Sequence, residues 1–365
     1  MRDHITLRVD IITAHINHKI SIQNGADTLG MSVSGFKKLC ARYRKNGLAS
    51  LEHGLKGKPS NRGERPNKQQ IIELANGKYQ NFNICHKCEL LAEREGILIN
   101  PETLRLWLVA AGRLVRKRKP RPREWREPKA YFGEMLQIDG SFHDWLGDGK
   151  KLCMMHIIDD STNSCMLHFA AQETIESVCY CAWRWIKTYG VPKMFYADGR
   201  NMYHLIPDKE PNFFTMMCKN LGIETKRAYS AQAKGRVERG NGTHQNRLVP
   251  LAELDGIKTL EGLNEYLLRY EQEHNSKFGH KPTMGDMHRE LPEWVKGIED
   301  VCWIEAERKI NNDWTVRYKN VVLQIETGNI YAPTKRKVLI RETIRGGLEL
   351  SYRGQSLKWH QVATF

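Results

Sequence analysis

Apolar residues recur at helical spacing at the start of the chain. Ile5, Val9, Ile12 and Ile16 would lie on one face of an α-helix, because residues three or four apart meet on the same side. The chain therefore begins with a predicted amphipathic helix that buries this face against a neighbour.

The following segment, 23–39, has the pattern of a helix-turn-helix. Small Ala26 allows two helices to approach, and Gly30 suits the turn between them. The second helix would bury Val33, Phe36 and Leu39. Its outward positions would then present four polar or basic side chains to DNA: Ser34, Lys37, Lys38 and Arg42. An ordinary helical hairpin in a core is the alternative for this pattern.

The hydrophobic pattern changes from helical to mixed near residue 131. Residues 68–112 predict three more helices, with Arg105 as a DNA contact of a second binding module. Beyond them we predict strands at 134–139, 152–158, 164–170, 193–198 and 223–229, and helices at 173–189, 212–221 and 235–254. This order predicts a mixed sheet flanked by helices. After residue 302 the pattern is β-rich and predicts a small barrel of SH3-like size.

Positive charge is concentrated in the first third of the chain. Of the 365 residues, 1–130 contain 26 Lys plus Arg against 12 Asp plus Glu, whereas 131–365 contain 31 against 30. A concentrated basic region is typical of proteins that bind nucleic acid, because each neutralised phosphate releases counterions. The 113–130 segment is predicted to be an extended arm along DNA, with contacts from Arg116, Lys117, Arg118, Lys119, Arg121 and Arg123.

The composition favours an intracellular protein. The chain has no uncharged apolar run near 18 residues, and its start lacks the layout of a signal peptide. Nine scattered cysteines fit reduced thiols better than a disulfide framework. Cys85 and Cys88 could form a zinc site with His15 and His18, but 66 residues separate the two pairs, and we favour buried thiols.

Three acidic residues stand at positions that suit a cation site. Asp139 and Asp198 each are predicted to end a strand and precede a glycine, and Glu238 lies early in a predicted helix. Hard ions such as Mg²⁺ prefer carboxylate oxygens and leave positions open for phosphate and water. A single acid at a strand end is more often a turn residue, so the set of three carries the hypothesis.

The segments around these acids resemble a known family. Residues 229–243, Tyr-Ser-Ala-Gln-Ala-Lys-Gly-Arg-Val-Glu-Arg-Gly-Asn-Gly-Thr, are similar to the third-acid segment of bacterial insertion-sequence transposases with a retroviral-integrase core. Residues 137–141 and 196–198 resemble the first two acid segments, and the intervals of 59 and 40 residues between the acids fit. The resemblance covers most of the chain and is greatest to the ISNCY group. Ala231 and the Gly199-Arg200 pair depart from the usual pattern.

The resemblance implies a ribonuclease H-like core that cuts and joins DNA with two Mg²⁺ or Mn²⁺ ions. Asp139 would bridge both ions, while Asp198 and Glu238 would each hold one. Lys234 and Arg236 would contact DNA beside the third acid. The partners would be double-stranded DNA, as transposon ends and target, and further copies of the chain, at least a dimer, in a bacterial cytoplasm at the nucleoid.

The resulting domain prediction has seven parts: a helix-turn-helix domain at 1–53, a linker at 54–67, a second helical domain at 68–112, a basic arm at 113–130, the catalytic core at 131–254, a helical extension at 255–300 and a β-barrel at 301–365. Two alternatives stay open at this point. One is a DNA-binding regulator derived from a transposase that has lost catalysis. The other is a ribonuclease H-like nuclease that acts on RNA hybrids.

Overall fold

The structure is a computed structural model that describes residues 4–51, 67–113, 127–199, 201–204, 210–228, 234–326 and 335–364. Two compact units divide the chain, Met1–Glu73 and Leu74–Phe365. Several predictions lie outside the described residues. They concern most of the linker at 54–67, the loop positions Arg200 and Ala231, and the arm residues Arg116, Lys117, Arg118, Lys119, Arg121 and Arg123.

Helices make up the described part of the first unit: α1 (His4–Ile16), α2 (Ile22–Thr28) and α3 (Val33–Asn46). The hydroxyls of Ser21 and Ser32 accept backbone N–H bonds at the starts of α2 and α3, which satisfies donors that the first helical turn leaves free. Phe36 is fully buried, and Gly25 lies so close to its ring that a Cβ atom there would stand 2.4 Å from it. Close packing of α2 on α3 therefore depends on small residues.

Three helices precede the sheet: α4 (Lys68–Asn76), α5 (Ile84–Glu95) and α6 (Pro101–Ala110). Asn83 caps α5 and Asn100 caps α6 through their side-chain oxygens. Pro101 then occupies the first turn of α6, where its missing N–H has no helical partner to lose. The predicted helices in this part of the chain have this local origin.

A five-stranded mixed sheet forms the centre of the second unit. Its strands are β1 (Leu136–His143), β2 (Leu152–Asp159), β3 (Cys165–Ala170), β4 (Met194–Ala197) and β5 (Glu224–Arg227). They lie in the order β3-β2-β1-β4-β5. β2 runs antiparallel to both β1 and β3, whereas β1, β4 and β5 are parallel. The predicted mixed α/β architecture is confirmed.

Helices cover both faces of this sheet. They are α7 (Ile175–Tyr189), α8 (Phe213–Leu221), α9 (Gly235–Leu254) and α10 (Leu260–Phe278). Apolar residues of α7 and α8 share one core with Leu136 and Ile138 of β1. Successive strand residues point to opposite faces, so the alternate β1 residues face α9.

Side chains of α10 bond the outer edge of β3. Asn264 and Asn275 each exchange two hydrogen bonds with the backbone, of Phe169 and Cys165 respectively. Glu271 accepts a fifth bond from the Leu167 N–H, with a 2.6 Å separation. Polar helix side chains thereby satisfy backbone groups that an edge strand otherwise leaves unpaired.

One predicted strand end is wrong. We expected β1 to stop at Asp139 with Gly140 as a turn, but the strand continues to His143 and pairs with β2 throughout. Gly140 serves a different purpose, because a Cβ atom there would lie 2.7 Å from Cδ of Glu173 and 3.1 Å from Sγ of Cys153. Asp139 therefore projects from within a strand. Asp198 directly follows β4, as predicted.

The chain ends in seven strands: β6 (Trp303–Lys309), β7 (Thr315–Tyr318), β8 (Val321–Ile325), β9 (Lys337–Thr343), β10 (Leu348–Tyr352), β11 (Gln355–Leu357) and β12 (Trp359–Thr364). They form two sheets, β11-β10-β9-β6 and β12-β8-β7. Val316, Leu323, Ile340 and Leu350 bring both sheets into one apolar core. The β-rich pattern is present, and β6, β11 and β12 are additions to the predicted strands.

No described helix is long and apolar enough to cross a membrane.

Two glycines of α9 provide a matched test of its packing. A Cβ at Gly240 would lie 2.4 Å from Cε1 of His156, whereas a Cβ at Gly242 meets nothing within 4 Å. We expect Gly240→Ala to lower the free energy of unfolding by about 1–3 kcal/mol through overpacking. Gly242→Ala should raise it by about 0.5–1 kcal/mol because alanine favours the helix. Urea unfolding measures both, and equal effects would contradict this packing.

Candidate active site on the sheet

Helix α9 runs along β1, and three of its residues bond three alternate strand residues. The Val237 N–H donates to Oε1 of Gln137 at 3.1 Å. One turn later Nδ2 of Asn241 donates to Oδ2 of Asp139, also at 3.1 Å. Gln245 then donates to the Ser141 hydroxyl at 3.1 Å. Because one helical turn advances about as far as two strand residues, this register fixes Asp139 against α9.

Lys234 joins the first two predicted acids. Its Nζ lies 2.7 Å from Oδ1 of Asp139 and 4.0 Å from Oδ2 of Asp198. The lysine side chain is 9% exposed, while the two carboxylates are 21% and 28% exposed. Asp139 and Asp198 thus face one cation at the edge between the interior and solvent. The His204 ring nitrogen bonds the Asp198 carbonyl at 2.7 Å and holds the chain just after β4.

Glu238 lies on the same face of α9 as the residues that contact Asp139. It follows Lys234 by four residues and precedes Asn241 by three, spacings that place side chains on one helix face. Glu238 is exposed. The structure therefore brings Asp139 and Asp198 to one ammonium group. Helical spacing puts Glu238 on the adjoining face of α9, where it is exposed to solvent.

A fourth acid, Glu173, lies at this site and was not predicted from the sequence. It precedes α7, and its carboxyl group lies against Gly140, the neighbour of Asp139 in β1. The buried hydroxyl of Tyr203 donates to Oε1 of Glu173 at 2.7 Å. The sequence signal was weak, because Glu173 lies outside the three acid segments and approaches Asp139 only through the packing of α7.

The surroundings disfavour a charged Asp139. Burial raises the pKa of its carboxyl group, Lys234 opposes this by a hydrogen bond and by its charge, and the carboxylates of Asp198 and Glu173 raise the pKa further. Several carboxylates in a partly dry site repel one another unless a cation lies among them. The arrangement is therefore chemically suited to hold positive charge.

Arg236, which we predicted to contact DNA, is directed into the protein instead. Its Nε lies 3.2 Å from Oδ1 of the fully buried Asp160, and its guanidinium also bonds Asn163. Asp160 further accepts bonds from the Gln137 amide and the Lys129 N–H. This ion pair connects the start of α9 to the end of β2. The predicted contact of Arg236 with DNA is therefore corrected, because its side chain is buried in this pair.

The other residues that were predicted to contact DNA or metal lie in different environments. Four of them are exposed on one side of α3, opposite its buried apolar stripe: Ser34, Lys37, Lys38 and Arg42. Arg105 donates from Nε and Nη2, one edge of its guanidinium group, to the two carboxylate oxygens of Glu102 on the same helix. In the Cys85-to-Cys88 segment, Cys85 is exposed and Cys88 is buried, and neither belongs to a group of three metal-binding side chains among the described residues.

A pair of arginines on α9 distinguishes a structural role from a surface role. Arg236→Ala should lower the free energy of unfolding by about 3 kcal/mol, because it removes a guanidinium group that pairs with the buried Asp160 carboxylate. Arg239→Ala, which removes an exposed side chain one turn away, should change it by less than about 0.5 kcal/mol. Chemical denaturation followed by circular dichroism provides the comparison, and similar losses in both variants would contradict the assignment.

Comparison with known proteins finds two bacterial relatives across nearly the whole chain, while no family model matches. The chain is 29% identical to the Sinorhizobium fredii protein named "Putative transposase y4bF", over 96% of this chain and 79% of that protein. It is 27% identical to the "Transposase for insertion sequence IS1202" of Streptococcus pneumoniae, over 93% of this chain and 83% of the relative.

Solved structures of retroviral integrases are also similar to this chain. The HTLV-2 integrase catalytic core domain in complex with magnesium has a TM-score of 0.31 and 18% identity, and the match covers 38% of this chain and 85% of that one. A simian T-cell lymphotropic virus intasome in complex with PP2A regulatory subunit B56 gamma has a TM-score of 0.37 and 13% identity, over 80% and 96%. The resemblance read from the acid segments is confirmed by the names of these two proteins: over more than nine-tenths of its length the chain is similar to bacterial proteins named as transposases.

Proposed function

We propose that this chain is a DNA transposase that binds the terminal inverted repeats of its element and carries out metal-dependent DNA strand cleavage and strand transfer. The observation that carries the proposal is the approach of Asp139 and Asp198 to one ammonium group, with Glu238 on the adjoining helix face. The two curated relatives support it, since both are named transposases and both align with more than nine-tenths of the chain.

The donor set fits divalent cations. Lys234 Nζ marks a position where positive charge is already held by carboxylate oxygens. Asp139, Asp198 and Glu238 would hold two Mg²⁺ or Mn²⁺ ions, since hard cations prefer such oxygens and keep open positions for phosphate and water. Bound there, the ions would make a water or a DNA 3′-hydroxyl more acidic and would stabilise the charge that develops on the phosphate.

The side chains around these acids have tasks of their own. Asn241 orients Asp139 by donating to Oδ2, so that Oδ1 faces the Lys234 ammonium group, whose place a metal ion would take. With metal ions bound to the acids, the four-carbon stem of Lys234 would let its ammonium group turn from Asp139 to a DNA phosphate, which keeps its charge near the cleaved bond. Tyr203 holds Glu173 by a hydrogen bond beside Gly140, which limits how far that carboxylate can turn.

Other parts of the chain would bind DNA and organise copies of the protein. Within this proposal, α2 and α3 form a helix-turn-helix that presents Ser34, Lys37, Lys38 and Arg42 to the major groove. The sheet and its helices correspond to a ribonuclease H-like core, and the last seven strands to a small SH3-like barrel.

The basic arm at 113–130 would follow the DNA backbone. The proposal includes the same seven domains and segments that the sequence predicts. At least a dimer is expected, because two transposon ends must be joined together, and the protein would act at the bacterial nucleoid.

The two alternatives make different claims about the acids and the substrate. A regulator that has lost catalysis has no need of Asp139, Asp198 and Glu238 together, and the relatives are named as transposases rather than as regulators. A nuclease for RNA hybrids would use the same acids but has no need of the exposed basic face of α3. We therefore favour the transposase.

Removal of a single acid tests the catalytic assignment. Asp139→Asn, Asp198→Asn and Glu238→Gln should each reduce Mg²⁺-dependent strand transfer of transposon-end DNA on the order of 10³-fold, because each removes charge that stabilises the transition state. Glu253→Gln, an exposed glutamate later on α9, is the matched control and should stay near wild type. Glu238→Gln at full activity would remove Glu238 from the site, and hydrolysis of RNA hybrids in preference to duplex DNA would favour the nuclease.

Lys234 should compete with divalent ions for the same carboxylates. Lys234→Met removes a charge 2.7 Å from Asp139, so we expect Mn²⁺ to bind about five- to tenfold more tightly, the effect of roughly 1 kcal/mol of relieved repulsion. Titration calorimetry without DNA measures this affinity. Lys258→Met, at an exposed position beyond α9, is the control. Unchanged or weaker Mn²⁺ binding by the Lys234 variant would place the ion elsewhere.

A further inference from the structure

Four metal-binding side chains meet in the interior of the second unit, behind the acids. His156 belongs to β2, Cys165 to β3, His244 to α9 and His274 to α10. The first three are fully buried, and His274 is 7% exposed. One ligand atom from each of His156, Cys165 and His244 lies within 4.8 Å of the other two. The His274 Nδ1 lies 3.4 Å from Sγ of Cys165, so a fourth possible donor borders this group of three on the side of the cysteine.

Two ring nitrogens in this cluster have no hydrogen-bond partner among the described residues. They are Nε2 of His156 and Nε2 of His244, and both belong to side chains with no exposed surface. A buried polar atom that is left without a partner costs about 1–3 kcal/mol. The rings of the two histidines lie 4.7 Å apart, and the His244 and His274 rings lie 4.6 Å apart. Burial of these two nitrogens therefore costs free energy that no hydrogen bond within the cluster offsets.

Hydrogen bonds fix the opposite side of both rings. His156 Nδ1 lies 2.8 Å from Oδ1 of Asn241, whose amide orientation is set because its Nδ2 donates to Asp139. Since Oδ1 can only accept, Nδ1 of His156 carries the hydrogen and Nε2 presents a lone pair. His244 Nδ1 lies 2.9 Å from the Tyr270 hydroxyl, which allows the same tautomer. Metal-bound histidines typically donate their other ring N–H in this way.

We propose that His156, His244, Cys165 and His274 bind a zinc ion with a structural role, through Nε2 of the first two, Sγ of the cysteine and Nδ1 of His274. Three imidazoles and one thiolate make a closed tetrahedral set, the kind that Zn²⁺ prefers, and leave no position for water or substrate. Coordination would supply both unpartnered nitrogens with a bond. It would also join β2, β3, α9 and α10 at a single point.

The charge state of the cluster agrees with this assignment. Burial lowers the pKa of His156 to about 3 and of His274 to about 4, so both rings are neutral lone-pair donors at pH 7. Burial also raises the pKa of the Cys165 thiol and so favours its protonated form. A bound cation would reverse this effect and would coordinate the thiolate. Gly240 completes the setting, since any Cβ at that position would displace the His156 ring.

The zinc would be distinct from the ions of the proposed catalytic site, yet connected to it. From the His156 ring a chain of two hydrogen bonds passes through Asn241 to Asp139. A ring held by zinc would fix the Asn241 amide and with it the orientation of the Asp139 carboxylate. The inference itself does not rest on the proposed function, because zinc content is measured without DNA.

Elemental analysis of the full-length protein, purified without chelators, tests the proposal. We expect about one zinc ion per chain in the wild type, and a fall to background in Cys165→Ser and His244→Gln. Two controls should keep their zinc: a Cys85→Ser, Cys88→Ser double variant, which removes the other cysteine pair, and Asp139→Asn, which changes the acid site. A folded wild type without stoichiometric zinc, or zinc lost only from the Cys85/Cys88 variant, would overturn the proposal.

X-ray absorption at the zinc edge keeps the test decisive if the core variants fail to fold. The wild type should show one sulfur near 2.3 Å, within about 0.1 Å, and three nitrogens at roughly 2.0–2.1 Å. Two or more sulfurs would point to the Cys85/Cys88 pair, and a shell of oxygens alone to the acids. Either result would contradict binding by the four buried residues.

Discussion

The contact between β1 and α9 is the constraint on which the site depends. Val237, Asn241 and Gln245 bond alternate residues of one strand, so the pitch of the helix and the spacing of the strand set a common register. A slip of one residue in β1 would turn Asp139 to the opposite face, into the apolar core shared with α7 and α8. Pairing with β2 over the full length of β1 prevents such a slip.

Buried polar pairs hold the two ends of this contact. At the start of α9 the Arg236 guanidinium meets Asp160, which has no exposed surface. Further along, Arg247 pairs by two hydrogen bonds with Glu89 of α5. Ion pairs of this kind add less to stability than apolar packing of similar volume, but breaking one leaves a charge stranded in the interior. They therefore specify where α9 lies more than how stable the fold is.

Much of the fold could be predicted from the sequence because its signals are local. The pattern at 235–254 predicted α9, and the pattern at 68–112 predicted the three helices α4, α5 and α6. The end of β1 was mispredicted because Gly140 reads as a turn, whereas its small size is required by Glu173, a residue 33 positions later. Pattern alone carries no information about that contact.

The candidate site likewise combines residues that have a local sequence signal with contacts that only the packing of distant elements creates. Asp139 and Asp198 were found from their segments, and their approach to Lys234 is seen only in the structure. Glu173 and the His156 cluster have no sequence signature, because packing brings their members together from distant elements. Arg236 was predicted to be a DNA contact, since a buried pair between residues 76 apart has no local pattern. The catalytic roles of the acids stay predictions.

The polar side chains of α10 along β3 also limit how copies of the chain can associate. An edge strand whose backbone groups are already bonded by Asn264, Glu271 and Asn275 has no ladder to offer a second molecule. At the opposite edge, β5 ends in the charged residues Lys226 and Arg227, which discourage strand addition. Continuation of the five-stranded sheet from one protomer into another is thereby disfavoured.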